Sequence, residues 1–275
     1  MAAKQRDAPD HEEGLPPFSH WLHHWFMLFV RRFIRRHFHA LRLLRGGDAG
    51  LPDHPDIGQG PVIIYTNHPG WWDPLVFFTT ADQLWPERLN YGPIDAAALE
   101  KYRFMERIGF VGVEHGTWRG SARFLRVAKA AGKRGDVIFW VTAQGEFADP
   151  RQRPVEIRAG VGHAAHTNRG GVIVPMAVEY PFWSERLPEA LVGFGPALPM
   201  GPQFDAREWT QILAEHLEQT QDRLAAAARR RDPAAFRSLL TGTVGVGGVY
   251  DFGRKLRAWA RGEQFDASHG GRDGD

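Results

Sequence analysis

One histidine and one aspartate have a spacing that suits acid–base chemistry. His68 and Asp73 lie five positions apart, in a polar and aromatic stretch that directly follows the apolar run 62–65. Because α/β proteins place reactive groups where strands pass into loops, a turn there can bring the Asp73 carboxylate against one imidazole nitrogen of His68. The carboxylate would fix the tautomer, and the other nitrogen would act as a general base. No protein nucleophile accompanies the pair, so a substrate hydroxyl is the expected nucleophile.

The elements that would position this pair predict an α/β fold. Three short apolar runs predict buried strands, at 62–65, 137–141 and 172–178. Two segments have the apolar spacing of helices, at 118–132 and 206–231, and Asp205 is a suitable N-cap for the second. Strands that alternate with helices predict a single α/β domain with a mostly parallel central sheet flanked by helices.

A basic and aromatic segment at 18–45 precedes these elements. It contains six arginines and no acidic residue, and its apolar residues recur at three- and four-residue steps. Its uninterrupted apolar run, 25–30, is far shorter than the ~20 residues that span a bilayer. We therefore expect an amphipathic helix, or two short ones, on a membrane surface, with aromatic rings at the acyl boundary and arginines on anionic headgroups. The alternative is a helix that docks on the protein's own core with its arginines in water.

The membrane interpretation predicts lipid contacts and a location. The residues expected to contact lipid are Trp21, Trp25, Phe29, Arg31, Arg32, Arg35 and Arg36. The protein would then be peripheral or monotopic, on the cytoplasmic face of a membrane.

The composition narrows the class of protein. The chain has 275 residues, 43% of them apolar, which is enough for one full core. Its 34 basic residues nearly balance its 32 acidic ones, so no nucleic-acid partner is expected. Without the six arginines of 18–45, the formal net charge of +2 becomes −4, so the basic character belongs to that segment. The absence of cysteine excludes disulfides, thiolate nucleophiles and cysteine-ligated metal sites.

Changes in composition along the chain suggest its boundaries. We expect a disordered tail at 1–17, the membrane-surface helix at 18–45, the catalytic domain at 46–235 and a C-terminal extension at 236–275. Within the extension, the glycine-rich run 242–248 predicts a flexible turn, because it lacks the preceding strand and the Gly-Lys-Ser/Thr ending of a phosphate loop. A second basic amphipathic stretch, 252–261, would lie on a membrane or in solvent, and 266–275 predicts a solvated tail.

Several motifs within 60–199 occur in an informative order. Asn67, His68 and Asp73 form an Asn-His-x4-Asp motif after a predicted buried strand, and further similar blocks lie at 108–113, 137–147, 158–162 and 172–178. In these blocks the chain resembles the glycerolipid (1-acyl-glycerol-3-phosphate type, or lysophospholipid) acyltransferase family. The resemblance implies that His68 deprotonates an acceptor hydroxyl, which attacks the thioester of an acyl-CoA or acyl-carrier protein, while Asp73 holds the imidazole. It implies no metal or other cofactor.

The chain departs from this family at positions that recognise a phosphate monoester. Where the family has an arginine at the end of the second block, this chain has His115 close by. In the third block, Gln144 stands at the family's glutamate position and Phe147 at its arginine position. A neutral ring or a phenyl group does not replace a bidentate guanidinium. Two explanations are open. Charged residues at new positions could form the anion site, or the acceptor could carry no free phosphate monoester; we favour the second. The nearby charged candidates are Glu146, Arg151, Arg153 and Arg158, with a helical face of Arg119, Arg123, Arg126 and Lys133.

The substrate-binding residues expected from these motifs surround the pair. They are Asn67, Gly70, His115, Gln144, Gly145, Glu146, Arg151 and Arg158, with backbone N–H groups near Gly70 or Gly145 as candidate oxyanion donors. Acyltransfer to a glycosylated or isoprenoid lipid alcohol is one alternative, and a catalytically silent lipid-binding protein is another. A serine hydrolase is disfavoured because the Gly-x-Ser-x-Gly elbow is absent. His163 and His166 have the spacing of a metal pair but no third ligand nearby in sequence.

Overall fold

The structure of this chain is a computed structural model that describes residues 14–46, 51 and 53–242. The described residues include only the first residue, Gly242, of the predicted turn at 242–248. The basic stretch 252–261 and the tail 266–275 lie outside them, as do most of the predicted N-terminal tail and residues 47–50 and 52 of the loop before the first predicted strand.

The described elements alternate along the chain. The helices are α1 (His20–His37), α2 (Asp73–Leu84), α3 (Ala96–Lys101), α4 (Trp118–Ala131), α5 (Ala159–Thr167) and α6 (Ala206–Arg230). The strands are β1 (Ala40–Leu44), β2 (Val62–Thr66), β3 (Leu89–Asp95), β4 (Phe110–Val113), β5 (Val137–Thr142), β6 (Val172–Glu179), β7 (Glu189–Phe194), β8 (Leu198–Pro199) and β9 (Phe236–Thr241). Short 3-10 helices occupy Arg103–Ile108 and Pro233–Ala235.

The described strands form one mixed, mostly parallel sheet, which confirms the predicted fold class. Their order is β4-β3-β5-β2-β6-β7-β1-β9, and β8 pairs with β6 outside this path. β2 runs parallel to β5 on one side and to β6 on the other, so that Thr66 lies opposite Thr142 and Met176. The carboxyl ends of these three central strands therefore meet at one edge of the sheet, where open α/β sheets place their ligands.

Helices cover the described sheet on both faces, so its central strand is buried on each side. All five residues of β2 are buried. Val62 and Ile64 pack into the core beneath α1 and α2, whereas Ile63 and Tyr65 pack into the core beneath α4, α5 and α6. This alternation is the two-residue period of a strand, and burial of both faces explains why the strand has a continuous apolar sequence.

The segment 18–45 is a helix followed by a strand. Ser19 caps α1 by accepting a hydrogen bond from the backbone N–H of Leu22, and the extended backbone of Phe38 ends the helix. Residues 40–44, which we expected to continue the amphipathic segment, form β1 between β7 and β9. The expectation is wrong for these residues because tertiary strand pairing overrides their helical spacing. Among the described residues, no helix has the length and apolar character needed to cross a membrane.

The body of the protein therefore extends beyond the predicted bounds of 46–235. β1 precedes those bounds and β9, at the start of the predicted C-terminal extension, follows them. The two strands pair with each other in antiparallel register, and Phe236 and Leu240 of β9 are buried. Both strands belong to the same sheet as β2, the strand that precedes the predicted catalytic residues.

Candidate active site

Three loops meet at the carboxyl edge of the central strands. The loop after β2 carries His68, the loop after β5 carries Gln144 and Phe147, and Tyr180 directly follows β6. The backbone N–H of Ala148 donates to the carbonyl of His68, at 3.0 Å, and joins the first two loops. The parallel pairing of β2 with β5 and β6 thus assembles residues that lie up to 112 positions apart in sequence.

His68 and Asp73 are in direct contact. The His68 Nδ1 atom lies 2.5 Å from Asp73 Oδ2. Asp73 is fully buried, whereas the His68 side chain is 18% exposed. With the carboxylate accepting from Nδ1–H, the other ring nitrogen, Nε2, is an acceptor in the neutral imidazole. The contact predicted from the spacing is present, and its geometry allows His68 to take a proton from a group at its exposed side.

The Asp73 carboxylate is held by backbone as well as by side chains. Asp73 is the first residue of α2, and its Oδ2 atom also accepts from the backbone N–H of Gly70, at 3.1 Å. The backbone N–H of Asp73 lies 3.3 Å from the Gly70 carbonyl and closes the turn. A negative charge in the first turn of a helix is stabilised by the helix dipole. Gly70 therefore positions the pair through its backbone.

Sequence reasoning missed Tyr180. Its hydroxyl donates to Asp73 Oδ1, at 2.5 Å. Burial, together with the neighbouring Asp73 charge, raises the pKa of Tyr180 well above its usual range, so the hydroxyl keeps its proton. The available signal was its position directly after the third predicted strand, at the edge where parallel strands meet.

Asn67 has a structural position rather than the predicted contact with substrate. Its side chain is fully buried. The Nδ2 atom donates to the carbonyl of Val178, at 3.0 Å, and Oδ1 accepts from the backbone N–H of the same residue, at 2.9 Å. The amide therefore continues the pairing of β2 with β6 by one residue, and it anchors the backbone immediately before His68.

Gln144 supports His68 from the other side. Its Oε1 atom accepts from the backbone N–H of His68, at 3.1 Å, and its carbonyl accepts from Arg158 Nε, also at 3.1 Å. Gly145 follows with a φ of +72°, a conformation that favours glycine. The two residues shape the loop after β5, and the Arg158 guanidinium is tied to the backbone of that loop.

Phe147 packs against the imidazole. The two ring centroids are 4.5 Å apart, with a 49° angle between the ring planes. Phe147 is 63% exposed, so its ring borders the open side of His68. The surface beside the exposed nitrogen of His68 is therefore apolar on this side.

The remaining predicted charged residues differ in their positions. Arg151 is exposed and pairs with Asp149, with Nη2 at 2.6 Å from Oδ2, and Glu146 is exposed. His115 follows β4, three strand positions from β2 and thus about 14 Å across the sheet. The structure does not bring His115 to His68. Burial raises the pKa of Glu179, the last residue of β6, although the charges of three arginines act to lower it.

Helix α1 has two different faces. Met27, Val30 and Ile34 are buried in the core. The opposite face exposes four large apolar side chains, Trp21, Trp25, Leu28 and Phe29. The helix thus docks on the core, as the alternative interpretation expected, and it also presents aromatic rings outward; contact of those rings with a membrane stays a prediction.

The predicted lipid-contacting arginines are not equivalent. Arg31 forms an ion pair with Asp82 of α2, so it fixes α1 to the body of the protein. Arg32 and Arg36 are exposed on the same side of α1 as the outward aromatic rings, and Arg35 is also exposed. The Nε atom of Arg42, in β1, lies 2.9 Å from Oε2 of the buried Glu189, so this arginine forms an ion pair within the fold.

The outward aromatic face continues to the loop of the candidate site. The ring of Phe29 stacks on Phe33, with centroids 5.5 Å apart, and Phe33 contacts Trp71 at 6.4 Å. Trp71 is exposed and lies between His68 and Asp73 in sequence. The exposed rings of α1 and the rim of the site are thus neighbours.

No protein-family profile matches the chain, and none of the curated proteins compared with it is significantly similar in sequence. The described residues hold no group of three or more histidine, aspartate or glutamate side chains arranged for a metal ion. Of the two histidines with metal-pair spacing, His166 has its Nδ1 atom 2.8 Å from the carbonyl of Phe204. The geometry around His68 is that of an imidazole oriented by a buried carboxylate, with its side chain 18% exposed.

Proposed function

We propose that this protein is an O-acyltransferase at a membrane surface, which moves a fatty acyl group from a thioester donor to a hydroxyl of a lipid acceptor. The observation that carries the proposal is the His68–Asp73 contact at the carboxyl edge of the sheet. Within the described residues, no serine or threonine hydroxyl is hydrogen-bonded to the His68 ring, so the pair fits activation of a substrate hydroxyl better than a serine triad. The order of motifs shared with glycerolipid acyltransferases supports the same conclusion.

The reaction follows from the two nitrogens of the imidazole. His68 Nε2 takes the proton of the acceptor hydroxyl while the hydroxyl oxygen attacks the thioester carbonyl. Asp73 stabilises the resulting imidazolium through Nδ1–H. The tetrahedral intermediate collapses to the ester, the carbon–sulfur bond breaks, and the leaving thiolate of CoA or a carrier protein recovers the proton from Nε2. No group beyond the two substrates is consumed.

The surroundings of His68 support an acceptor without a free phosphate monoester. Phe147 borders the imidazole with a phenyl ring, and the Arg158 Nε atom is engaged by the Gln144 carbonyl. Arg151 and Arg153 pair with Asp149 and Asp222. A lipid alcohol would meet an apolar border here, whereas a phosphate dianion needs donors that it does not have to share.

The outward face of α1 supports attachment to a membrane. An exposed cluster of Trp21, Trp25 and Phe29 beside the exposed Arg32 and Arg36 has the chemistry of an interfacial helix on anionic lipid. The proposed side is the cytoplasmic one, where anionic headgroups are enriched.

The direct test is acyl transfer by the purified full chain. Labelled acyl-CoA and acyl-carrier protein are supplied against a panel of lysophospholipids, glycosylated lipids and lipid alcohols. We expect a product ester with the wild type and loss of at least about 1,000-fold in kcat with His68→Gln, because the general base and the oriented tautomer are both lost. Thermal unfolding of the variant should match that of the wild type.

Two outcomes would contradict the proposal. Product formation by His68→Gln at the wild-type rate would show that His68 is not the general base. Tight binding of acyl lipid without any product, by wild type and variant alike, would instead identify a catalytically silent lipid-binding protein. A preference for lysophosphatidate would overturn only the phosphate-free acceptor.

A further inference from the structure

Asp73 has a second oxygen that the proposed chemistry does not use. Oδ2 accepts from His68 Nδ1 and from the backbone N–H of Gly70, whereas Oδ1 accepts from the Tyr180 hydroxyl. Because Asp73 is fully buried, each of these donors replaces water that a carboxylate would otherwise bind. Rotation of the carboxylate about its Cβ–Cγ bond would break all three contacts together.

The Tyr180 ring is itself held in place. It follows the end of β6, and its centroid lies 5.5 Å from the ring of Phe38, the residue that ends α1. The backbone at Gly70 is also a neighbour of this ring, since a Cβ atom at Gly70 would lie in ordinary van der Waals contact with Tyr180 Cε2, at 3.9 Å. The Tyr180 ring therefore packs against the fold while its hydroxyl meets Asp73.

We propose that Tyr180 is a positioning residue for the His68–Asp73 pair, and that its hydroxyl fixes the carboxylate orientation that keeps Oδ2 on Nδ1. The inference rests on the proposed function for its effect on turnover. Tyr180 touches neither substrate; it acts through Asp73. Its loss would leave Oδ1 buried without a donor, so that the carboxylate turns towards other donors and the imidazole loses its fixed direction.

Proton NMR tests this without any substrate. A proton on Nδ1 that is hydrogen-bonded to a buried carboxylate gives a far-downfield resonance, which His68→Gln would assign by its disappearance. In Tyr180→Phe we expect this resonance to be exchange-broadened or lost. Tyr65→Phe is the control, because Tyr65 also donates its hydroxyl within the fold, to the carbonyl of Leu213, and has no contact with Asp73; Tyr65 is fully buried, whereas Tyr180 is partly buried.

Turnover provides the second measurement. In Tyr180→Phe, kcat should fall about 10- to 100-fold while KM stays within about twofold, since orientation of the base is lost and binding is not. Tyr65→Phe should keep the wild-type kcat. A merely structural role of the hydroxyl would alter both variants alike.

The outcomes separate this inference from the proposed function. An unchanged resonance in Tyr180→Phe, or equal effects in the two phenylalanine variants, would overturn the positioning role. If the wild type transfers no acyl group to any acceptor, the proposed function fails, and the resonance still decides the role of Tyr180. If Tyr180→Phe does not fold, 3-fluorotyrosine at position 180 keeps the ring and strengthens the donor: a moved resonance supports the inference, and an unmoved one overturns it.

Discussion

A buried carboxylate needs hydrogen-bond donors in place of water, and Asp73 has three. The His68 ring and the Gly70 backbone supply two of them from the turn after β2, and the Tyr180 hydroxyl supplies the third from the residue that follows β6. The arrangement leaves Asp73 no contact with solvent and directs the open side of His68 outward. Asp73 is therefore placed to stabilise the imidazolium of the proposed reaction.

Phe147 is the residue at which the nature of the acceptor is most directly testable. Its exposed ring borders the imidazole, so an arginine there would place a guanidinium beside the acceptor. We expect Phe147→Arg to raise kcat/KM for lysophosphatidate relative to an uncharged lipid alcohol by about tenfold, equivalent to about 1.4 kcal/mol of charge-assisted hydrogen bonding. Competition assays with both acceptors in one vesicle measure the ratio.

Phe204→Arg is the control for added charge. Phe204 is also partly exposed, but it packs on Trp209 near the start of α6, away from the edge that carries His68. This variant should leave the ratio unchanged. An unaltered ratio in Phe147→Arg would show that the ring does not select the acceptor.

Of the site residues, sequence patterns located those whose neighbours are close in the chain. His68 and Asp73 are joined by a six-residue turn, so their spacing was enough to predict contact. The roles of Tyr180 and Asn67 depend on the pairing of β2 with β6, across more than 100 residues of chain. Spacing within one segment carries no information about such partners.

At the scale of elements, α1 must satisfy two surfaces at once. The face carrying Trp21, Trp25 and Phe29 is 71, 55 and 57% exposed at these residues, while the other face lies in the core. Replacing the three by serine should weaken binding to anionic vesicles by at least about tenfold, or about 1.4 kcal/mol. Vesicle sedimentation measures this, and thermal unfolding should change little because the three rings lie largely outside the core.

A matched exposed tryptophan separates membrane binding from general surface hydrophobicity. Trp118, at the start of α4, is 76% exposed. Trp118→Ser should retain vesicle binding. If the serine variant of Trp21, Trp25 and Phe29 bound anionic vesicles as tightly as the wild type, the outward face of α1 would not be the membrane-binding surface. Substitution is the sharper test than deletion of 1–45, since deletion also removes β1 and the buried residues of α1.

The predicted elements agree closely with the structure where local patterns are strong. The strand predicted at 137–141 is Val137–Thr142 in the structure, and the helix predicted at 206–231 is Ala206–Arg230. β1 was missed because its residues continue the helical spacing of α1, and its strand partners, Glu189–Val192 and Phe236–Thr241, are roughly 150 to 200 positions away. Burial between those partners, not intrinsic propensity, makes 40–44 a strand.

At the scale of the whole molecule, the fold places the proposed membrane-binding face and the proposed active site on neighbouring surfaces. Helix α1 packs on α2, whose first residue is Asp73, and the Arg31–Asp82 ion pair joins the two helices. The ring contact between Phe33 and Trp71 then links the outward face of α1 to the loop of His68. An acceptor held in the leaflet that α1 contacts would meet His68 without leaving the lipid.

This arrangement predicts that the exposed aromatic face of α1 raises kcat/KM only for acceptors that lie in a bilayer. The serine variant of Trp21, Trp25 and Phe29 should lose about tenfold in kcat/KM on a vesicle-bound acceptor, in proportion to its lost binding. On a short-chain acceptor dissolved in water its kcat/KM should equal that of the wild type, because the contacts between His68, Asp73 and Tyr180 do not involve the exposed rings. His68→Gln should lose activity on both acceptors. Equal losses on both acceptors by the serine variant would mean that the exposed rings support the site itself, and the membrane role proposed for this face would be wrong.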